Sequence, residues 1–251
     1  MTAKRVIARL DIKGNRLIKG VHLEGWRFLG DPNEFCYHYY MEGIDEIIYV
    51  DAVASLYNRG SIKEIIRKTT YNVFVPITVG GGIRTLDDAT EILRSGADKV
   101  AVNSAAIKRP ELISEIANRF GKQCMVLSIQ AKLRDGKWVA AFDSAREYTN
   151  MDVVEWAQRA TELGAGEILL TSVDQEGTQK GFETALIKKV TEAVTIPVIA
   201  CGGFGKTSDF TAAVHAGADA VAVAHALHYN KTRVADIKQE AILNNIQVRP
   251  I

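Results

Sequence analysis

The feature that most constrains the fold of this chain is an internal repeat with an offset of 121 residues. Shifting the sequence by that amount lays VPITVGGGIRTLDDATEILRSGADKVAVNSAA over IPVIACGGFGKTSDFTAAVHAGADAVAVAHAL, and 12 of the 31 positions from Pro76 to Ala106 are then identical. The same offset places three earlier residues on three later ones, namely Gly43, Glu46 and Ile47 on Gly164, Glu167 and Ile168. A repeat of this length predicts a fold made of two similar halves.

Each half carries four short β-branched runs, and each run precedes a longer segment with helical periodicity, which is the pattern of parallel βα units. The eight strand candidates are 5–11, 45–51, 75–80, 99–103, 124–130, 167–172, 196–201 and 219–224. Proline and an acidic residue mark two helix starts, at 31–32 and at 109–111. We therefore predict an α/β protein with one domain, a (βα)8 TIM barrel over 1–251 with half-barrels at about 1–121 and 122–251. A doubly wound sheet is the alternative, but it does not explain a four-unit repeat.

Composition excludes several classes of function. Lysine and arginine number 31 against 30 acidic residues, so the formal charge of +1 gives no field that would attract nucleic acid or a membrane surface. The three cysteines, Cys36, Cys124 and Cys201, fit no metal-ligand spacing, and no run approaches the roughly 20 apolar residues of a membrane span. We expect a cytoplasmic protein without a metal ion or another cofactor.

Glycine pairs follow two corresponding strand candidates. Gly81 and Gly82 follow the third, and Gly202 and Gly203 follow the seventh. Without a Cβ atom, such residues let a phosphate approach the backbone at a helix N-terminus. The next strand of each half ends in a second candidate pair, Asn103 with Ser104 and Ala224 with His225. Because the pattern recurs in both halves, we predict two phosphate sites for a bisphosphorylated ligand, although the glycines could serve only tight turns.

Acidic residues lie at the same strand ends, where catalytic groups of a TIM barrel gather. Asp11 and Asp51 end the first two strand candidates and could act as general acid or base, or could cap the following helices. The segment that ends the sixth candidate includes Thr171, Glu176 and Gly177. In the long first loop, 12–30, Lys19 either closes over an anion or is an ordinary surface lysine.

Four charged residues begin strands that are otherwise apolar: Arg5, Glu46, Lys99 and Glu167. If they point inward they can pair as a neutral ring across the barrel floor, since an unpaired buried charge is costly. The alternative places them in solvent at the rim. A polar floor below an apolar interior could admit a small neutral molecule.

These motifs resemble those of the cyclase subunit of imidazole glycerol phosphate synthase over nearly the whole chain. The shared segments are ARLDIK, KGVHLEGWRFLGDP, TVGGGIR, GADKVAVNSAA and GAGEILLTSVDQEGT. The resemblance implies an enzyme that binds the bisphosphorylated ribonucleotide PRFAR, takes ammonia from a glutaminase subunit docked at the N-terminal face, and releases imidazole glycerol phosphate and AICAR. It also implies roles for particular residues: an ammonia gate at Arg5, Glu46, Lys99 and Glu167, a glutaminase-facing side at Asp98 and Gln123, and phosphate sites at Gly82, Asn103 and Ser104 and at Gly177, Gly203 and Ala224.

Three residues depart from the family pattern. Gln130 stands where the family has an aspartate that partners Asp11, Glu176 replaces a usual aspartate, and His225 replaces a small hydroxyl residue. An amide cannot transfer a proton by ionising, and loss of one acid/base group costs on the order of 10²- to 10⁴-fold in rate. Three hypotheses follow: a working cyclase, a cyclase-impaired relative that supplies ammonia to a sugar amidotransferase of surface-glycan synthesis, and a non-catalytic phospholigand sensor that activates its glutaminase.

Overall fold

Twelve strands build one sheet in the computed structural model, which describes residues 2–52 and 60–251. They are β1 (Arg5–Lys13), β2 (Arg16–Val21), β3 (Glu24–Gly30), β4 (Glu46–Asp51), β5 (Ile77–Gly80), β6 (Lys99–Val102), β7 (Met125–Arg134), β8 (Lys137–Phe142), β9 (Glu147–Asp152), β10 (Glu167–Ser172), β11 (Val198–Cys201) and β12 (Ala220–Val223). Eight of them pair in parallel in the order β1, β4, β5, β6, β7, β10, β11 and β12, and β12 pairs with β1 to close the ring. The predicted (βα)8 barrel and its eight strands are confirmed.

Helices of the described residues alternate with these strands along the chain, and the last two follow β12. They are α1 (Pro32–Met41), α2 (Gly60–Thr69), α3 (Leu86–Arg94), α4 (Ser104–Lys108), α5 (Glu111–Phe120), α6 (Val153–Leu163), α7 (Thr184–Ala193), α8 (Ser208–His215), α9 (His225–His228) and α10 (Val234–Leu243). The predicted start of α1 is confirmed, because the Asp31 carboxylate accepts from Asn33 N at 2.8 Å and Pro32 has no N–H that would need an acceptor in the first turn. No helix within 2–52 or 60–251 has the length and apolar character to cross a membrane.

The prediction of a loop over 12–30 is wrong, because most of that segment is strand. β1 continues past the barrel and pairs antiparallel with β2, with Asp11 opposite Ile18, and β2 pairs with β3. Leu17 and Ile18 are fully buried, so this first hairpin gains from packing as well as from backbone pairing. A second hairpin of β8 and β9 extends β7 in the same way and was not predicted from the sequence.

Side chains of the barrel strands alternate between two apolar layers, as strand geometry requires. The larger layer lies between strands and helices and contains the buried rings of Tyr39, Trp156 and Phe210. The smaller layer fills the lumen and is formed by Ile7, Ile48, Ala101, Val126, Leu169, Ile199, Cys201, Ala220 and Ala222. We call this second set the lumen layer.

The 121-residue repeat also appears in side-chain contacts with the backbone. The Asp98 carboxylate accepts from Ile77 N at 2.8 Å, and Asp219, at the equivalent position, accepts from Val198 N at 3.1 Å. Asp209 accepts from Gly205 N at 2.8 Å, as Asp88 does from Arg84 N. The division into half-barrels near residue 121 stays a prediction.

We expect His228 to give the fold a pH-dependent stability. Its imidazole is buried against the Tyr39 hydroxyl at 2.8 Å, and burial lowers its pKa from 6.5 to about 4. The folded state therefore binds fewer protons than the unfolded state, so this contribution is complete above pH 6.5 and is lost as the pH falls towards 4.

The loss amounts to about 3 kcal/mol of unfolding free energy between about pH 7 and about pH 4, measured by urea denaturation. In His228→Asn the pH dependence should shrink by that amount. Substitution of the exposed His38 by asparagine should leave it intact, and equal pH dependence in all three proteins would contradict the assignment.

Candidate active site

A cavity of about 650 Å³ opens at the carboxyl ends of the barrel strands. Its lining contains most residues that the sequence predicts for the site, namely Asp11, Lys19, Asp51, Gly81, Gly82, Asn103, Ser104, Gln130 and Glu176. Other predicted residues lie at neighbouring strand ends and are not part of the described lining: Thr171, Gly177, Gly202, Gly203, Ala224 and His225. The fold therefore opens the first glycine loop to the cavity and covers the second.

The first glycine loop has a backbone that excludes side chains. Gly81 has φ +94°, and a Cβ atom there would lie 2.2 Å from the carbonyl oxygen of Asp51. Asn103 donates through Nδ2 to carbonyl oxygens of β7 and β8, at 2.9 and 3.1 Å. The Ser104 hydroxyl accepts from Asp143 N at 3.0 Å, so both side chains also brace the second hairpin against the loop.

Four cations line the same cavity and were missed by the sequence reasoning: Arg84, Lys108, Arg109 and Arg146. Arg84 directly follows the TVGGGI segment, and Lys108 and Arg109 follow the Asn103-Ser104 pair within six residues. Basic residues so close behind phosphate-loop motifs were an available signal. Their charges favour an anionic group in the cavity.

The second glycine loop is covered by neighbouring backbone. Gly202 has φ +93°, and a Cβ atom there would lie 2.6 Å from the Ser172 carbonyl oxygen. Gly203 accepts from Gly181 N at 2.9 Å through its own carbonyl. His225 begins α9, where its Nδ1 is buried with no hydrogen-bond partner among the described residues. Burial, with the charge of Lys231, lowers the pKa of this histidine, so the imidazole is neutral at pH 7.

Asp11 and Gln130 both line the cavity, on β1 and β7. Asp11 is buried, and its Oδ1 accepts from Arg9 Nε at 2.9 Å. The Oε1 atom of Gln130 is buried and finds no partner within the described part of the chain, so it offers an acceptor to a ligand. Asp11 is therefore a positioned carboxylate, while Gln130 contributes only hydrogen bonds.

Lys19 and Glu176 form a buried ion pair, which corrects the alternative that Lys19 is an ordinary surface lysine. The Lys19 ammonium donates to Glu176 Oε1, and Leu23 N donates to Glu176 Oε2 at 2.9 Å. His22 N also donates to the Glu176 carbonyl oxygen at 3.0 Å. Both carboxylate oxygens are thus occupied, and Glu176, predicted as a catalytic group, here holds the first hairpin over the mouth.

At the opposite end of the barrel, Arg5, Glu46, Lys99 and Glu167 form a closed ring of ion pairs, which we call the charged ring. Arg5 donates to Glu46 and to Glu167, each at 2.6 Å. Lys99 lies 3.2 Å from Glu46 and 2.8 Å from Glu167. Burial alone would lower the pKa of Arg5, but the two carboxylates outweigh it and raise that pKa. The four side chains therefore point inward and neutralise one another, as the ring hypothesis requires.

Asp98 and Gln123 lie exposed at the same N-terminal face, beside the starts of β6 and β7. Gln123 donates through Nε2 to Phe120 O at 3.2 Å. Within the described residues, no group of three or more His, Cys, Asp and Glu side chains is placed to hold a metal ion.

Comparison with known proteins agrees with this geometry. A family model described as "Histidine biosynthesis protein" matches residues 5–233. A relative from Legionella pneumophila, "Imidazole glycerol phosphate synthase subunit HisF", is 61% identical over 211 residues, which are 84% of this chain and 100% of the relative. Proteins of the same name from Corynebacterium diphtheriae and Streptomyces griseus are 44% and 48% identical and cover 98% and 94% of both chains, respectively. The family resemblance predicted from the motifs is confirmed.

We expect Glu176→Gln to loosen the first hairpin, because it removes the carboxylate that binds both Lys19 and Leu23 N. Loss of one charge-assisted contact of this kind costs about 1.5–3 kcal/mol. Hydrogen exchange followed by mass spectrometry should show faster exchange over 16–30 and little change in β5 or β11. Glu155→Gln, at an exposed helix position, is the matched control, and unchanged exchange over 16–30 would show that Glu176 does not hold the hairpin.

Proposed function

Because the chain belongs to the histidine biosynthesis protein family, we propose that it is the cyclase subunit of an imidazole glycerol phosphate synthase. In this role it is a lyase that converts PRFAR and ammonia into imidazole glycerol phosphate and AICAR. The observation that carries the proposal is one cavity in which a glycine loop, clustered cations and the Asp11 carboxylate face the same space. A cytoplasmic location accords with membership of this family.

The two ends of the mouth suit the two phosphates of PRFAR. The first phosphate would bind at Gly81, Gly82 and Ser104, where the lining cations balance its charge. The second would bind at Gly177, Gly203 and His225, which requires the first hairpin to lift from the segment around Glu176. Asp11 would then lie between the phosphates as the acid/base group, and Thr171 and Asp51 would border the reacting part of the ligand.

The N-terminal face suits delivery of ammonia by a glutaminase subunit. Asp98 and Gln123 are exposed there, beside the charged ring, and would contact that partner. Ammonia would enter where the ring opens and reach the mouth through the lumen layer. A protein that only senses a phosphorylated ligand would not need the charged ring, so the ring favours ammonia delivery over the sensor hypothesis.

A second candidate function rests on Gln130 and Glu176. The family pattern pairs Asp11 with an aspartate at position 130, and here Gln130 cannot ionise. Both carboxylate oxygens of Glu176 are already hydrogen-bonded. Of the pair at positions 11 and 130, Asp11 alone can therefore transfer a proton. Such a subunit could keep the ring and phosphate loops while passing ammonia to a sugar amidotransferase of surface-glycan synthesis. Under this function, cyclisation of PRFAR would be slow.

Turnover of PRFAR with ammonium salt at alkaline pH, where more free ammonia is present, tests the proposal. We expect the purified chain to form imidazole glycerol phosphate and Asp11→Asn to lower the rate by at least about 10²-fold. Asp87→Asn, at an exposed residue of α3, should leave the rate unchanged.

Gln130→Asp separates the two candidates, because it restores an ionisable partner for Asp11. A rise of about 10²-fold over a slow native rate favours the sugar-amidation function, since the native cyclase would then lack its second acid. A fast native rate that Gln130→Asp does not raise favours the cyclase. Absence of product from both proteins would contradict the proposed cyclase.

A further inference from the structure

Arg9 is a buried charge inside the barrel that the functions above leave without a role. Along β1 the inward residues are Arg5, Ile7, Arg9 and Asp11, so Arg9 lies between Ile7 of the lumen layer and Asp11 of the mouth. Arg9 is only 5% exposed. A buried cation at this place is costly unless neighbouring groups satisfy it.

Arg9 bonds to residues on its own strand and on two other barrel strands. Nη1 donates to Thr171 Oγ1 at 3.1 Å and to Cys201 Sγ at 3.2 Å, on β10 and β11. Around the ring, β11 is the second and β10 the third strand from β1, and the fourth would be directly opposite. Nε meanwhile binds Asp11 at 2.9 Å. The guanidinium therefore projects into the lumen and is bonded on two sides, to Asp11 on its own strand and to Thr171 and Cys201 on β10 and β11.

The mouth cavity reaches this side chain and, on β6, Ala101 of the lumen layer. Arg9 and Ser128 belong to its lining, whereas Thr171 and Cys201, which Arg9 contacts, do not. The lumen layer lies between Arg9 and the charged ring. Thr78 also points into the lumen, since it is paired in register with the inward residues Ile48 and Lys99. The Thr78 hydroxyl is fully buried and has no hydrogen-bond partner within 2–52 or 60–251. It leaves an unused polar atom between the charged ring and Arg9, where a small polar guest could bind.

We propose that Arg9 is a second closure of the lumen, above the charged ring, and that ammonia must pass its guanidinium to reach Asp11. The role in ammonia delivery rests on the proposed function, whereas the closure itself does not. Ammonia can displace the Thr171 and Cys201 contacts by accepting a hydrogen bond from Nη1, while Nε keeps its bond to Asp11. Ammonium has no lone pair and carries the same charge as the guanidinium, so this closure selects the neutral molecule.

Arg9 keeps its charge in this position. Burial by itself lowers its pKa, but the Asp11 carboxylate, then Cys201 and Glu176, raise it by more, and the net pKa lies above the ordinary value for arginine. The closure is therefore cationic at every pH at which the protein is folded. Substitution separates the effect of the Arg9 side chain's size from that of its charge. Methionine is of similar length but uncharged, and alanine is both short and uncharged.

Reactivity of the Cys201 thiol tests the closure without any assumption about activity. The thiol lies behind Arg9 and is 6% exposed. Methyl methanethiosulfonate would be added to the full chain, and labelling of each cysteine followed by peptide mass spectrometry. We expect Cys201 in Arg9→Ala to react at least about 10-fold faster than in Arg9→Met, since both lack the cation and differ in the space they fill.

Cys36, fully buried between strands and helices, is the internal control for global opening. If it reacts as fast as Cys201 in Arg9→Ala, that variant is unfolding, and Arg9→Val, which suits a strand and is also short, is compared with Arg9→Met instead. Equal Cys201 labelling in the short and long variants, with Cys36 protected, would overturn the closure.

The delivery role is tested in the complex with the glutaminase subunit, by comparing product formation driven by glutamine with that driven by ammonium salt added at the mouth. Both Arg9→Ala and Arg9→Met lose the contact with Asp11, so we expect the glutamine-driven and the ammonium-driven rates to fall in both. Of these two variants, only Arg9→Ala widens the passage. We expect its glutamine-to-ammonium rate ratio to exceed that of Arg9→Met by about threefold or more. Equal ratios would overturn the delivery role, whereas absence of product in the native protein from either source would refute the proposed function and leave the labelling result standing.

Discussion

A closed ring of eight parallel strands forces alternate side chains of every strand into one narrow lumen, and the whole structure depends on how charge is accommodated there. At the floor, two cations and two carboxylates alternate, so each ion has two partners of opposite sign. Glu46 and Glu167 are buried, and removing one partner of a buried ion pair costs about 3–5 kcal/mol, because the remaining charge is left uncompensated. The lumen layer above it carries no charge until Arg9. The barrel is thus polar at both ends and apolar between them, which suits passage of a small neutral molecule and not of an ion.

The two halves share their scaffold but differ in chemistry. The carboxylates of Asp98 and Asp219 accept hydrogen bonds from backbone N–H groups at the starts of equivalent strands. Those of Asp88 and Asp209 accept from backbone N–H groups of equivalent loops. At an offset of 119, which aligns β1 with β7, Arg9 corresponds to Ser128 and Asp11 to Gln130. At these equivalent positions, one half therefore has a bonded charge pair and the other has neutral polar groups. The repeat explains the paired glycine loops, while the acid/base asymmetry arises from these few substitutions.

Much of the fold and part of the site followed from local patterns in the sequence. Strands were recognisable because β-branched runs recur between helical segments, and the charged ring because charges at the starts of apolar strands need partners. The hairpins were not recognisable, since β2 and β8 depend on pairing with extensions of β1 and β7. The contact between Lys19 and Glu176 joins residues 157 apart in sequence, which no local pattern reveals. Arg9 could have been found, because it lies at an inward position two residues before Asp11.

The proposed function requires ammonia to travel from a glutaminase through the floor and the lumen to PRFAR at the mouth. Its most direct test supplies the complex with glutamine labelled with ¹⁵N in the side-chain amide, in the presence of excess unlabelled ammonium, and measures ¹⁵N in imidazole glycerol phosphate by mass spectrometry. Passage inside the barrel predicts product that carries mostly ¹⁵N, whatever the ammonium concentration outside. Product whose label is diluted to the ratio in the medium would contradict passage through the lumen, because the ammonia would then have reached the mouth through solvent.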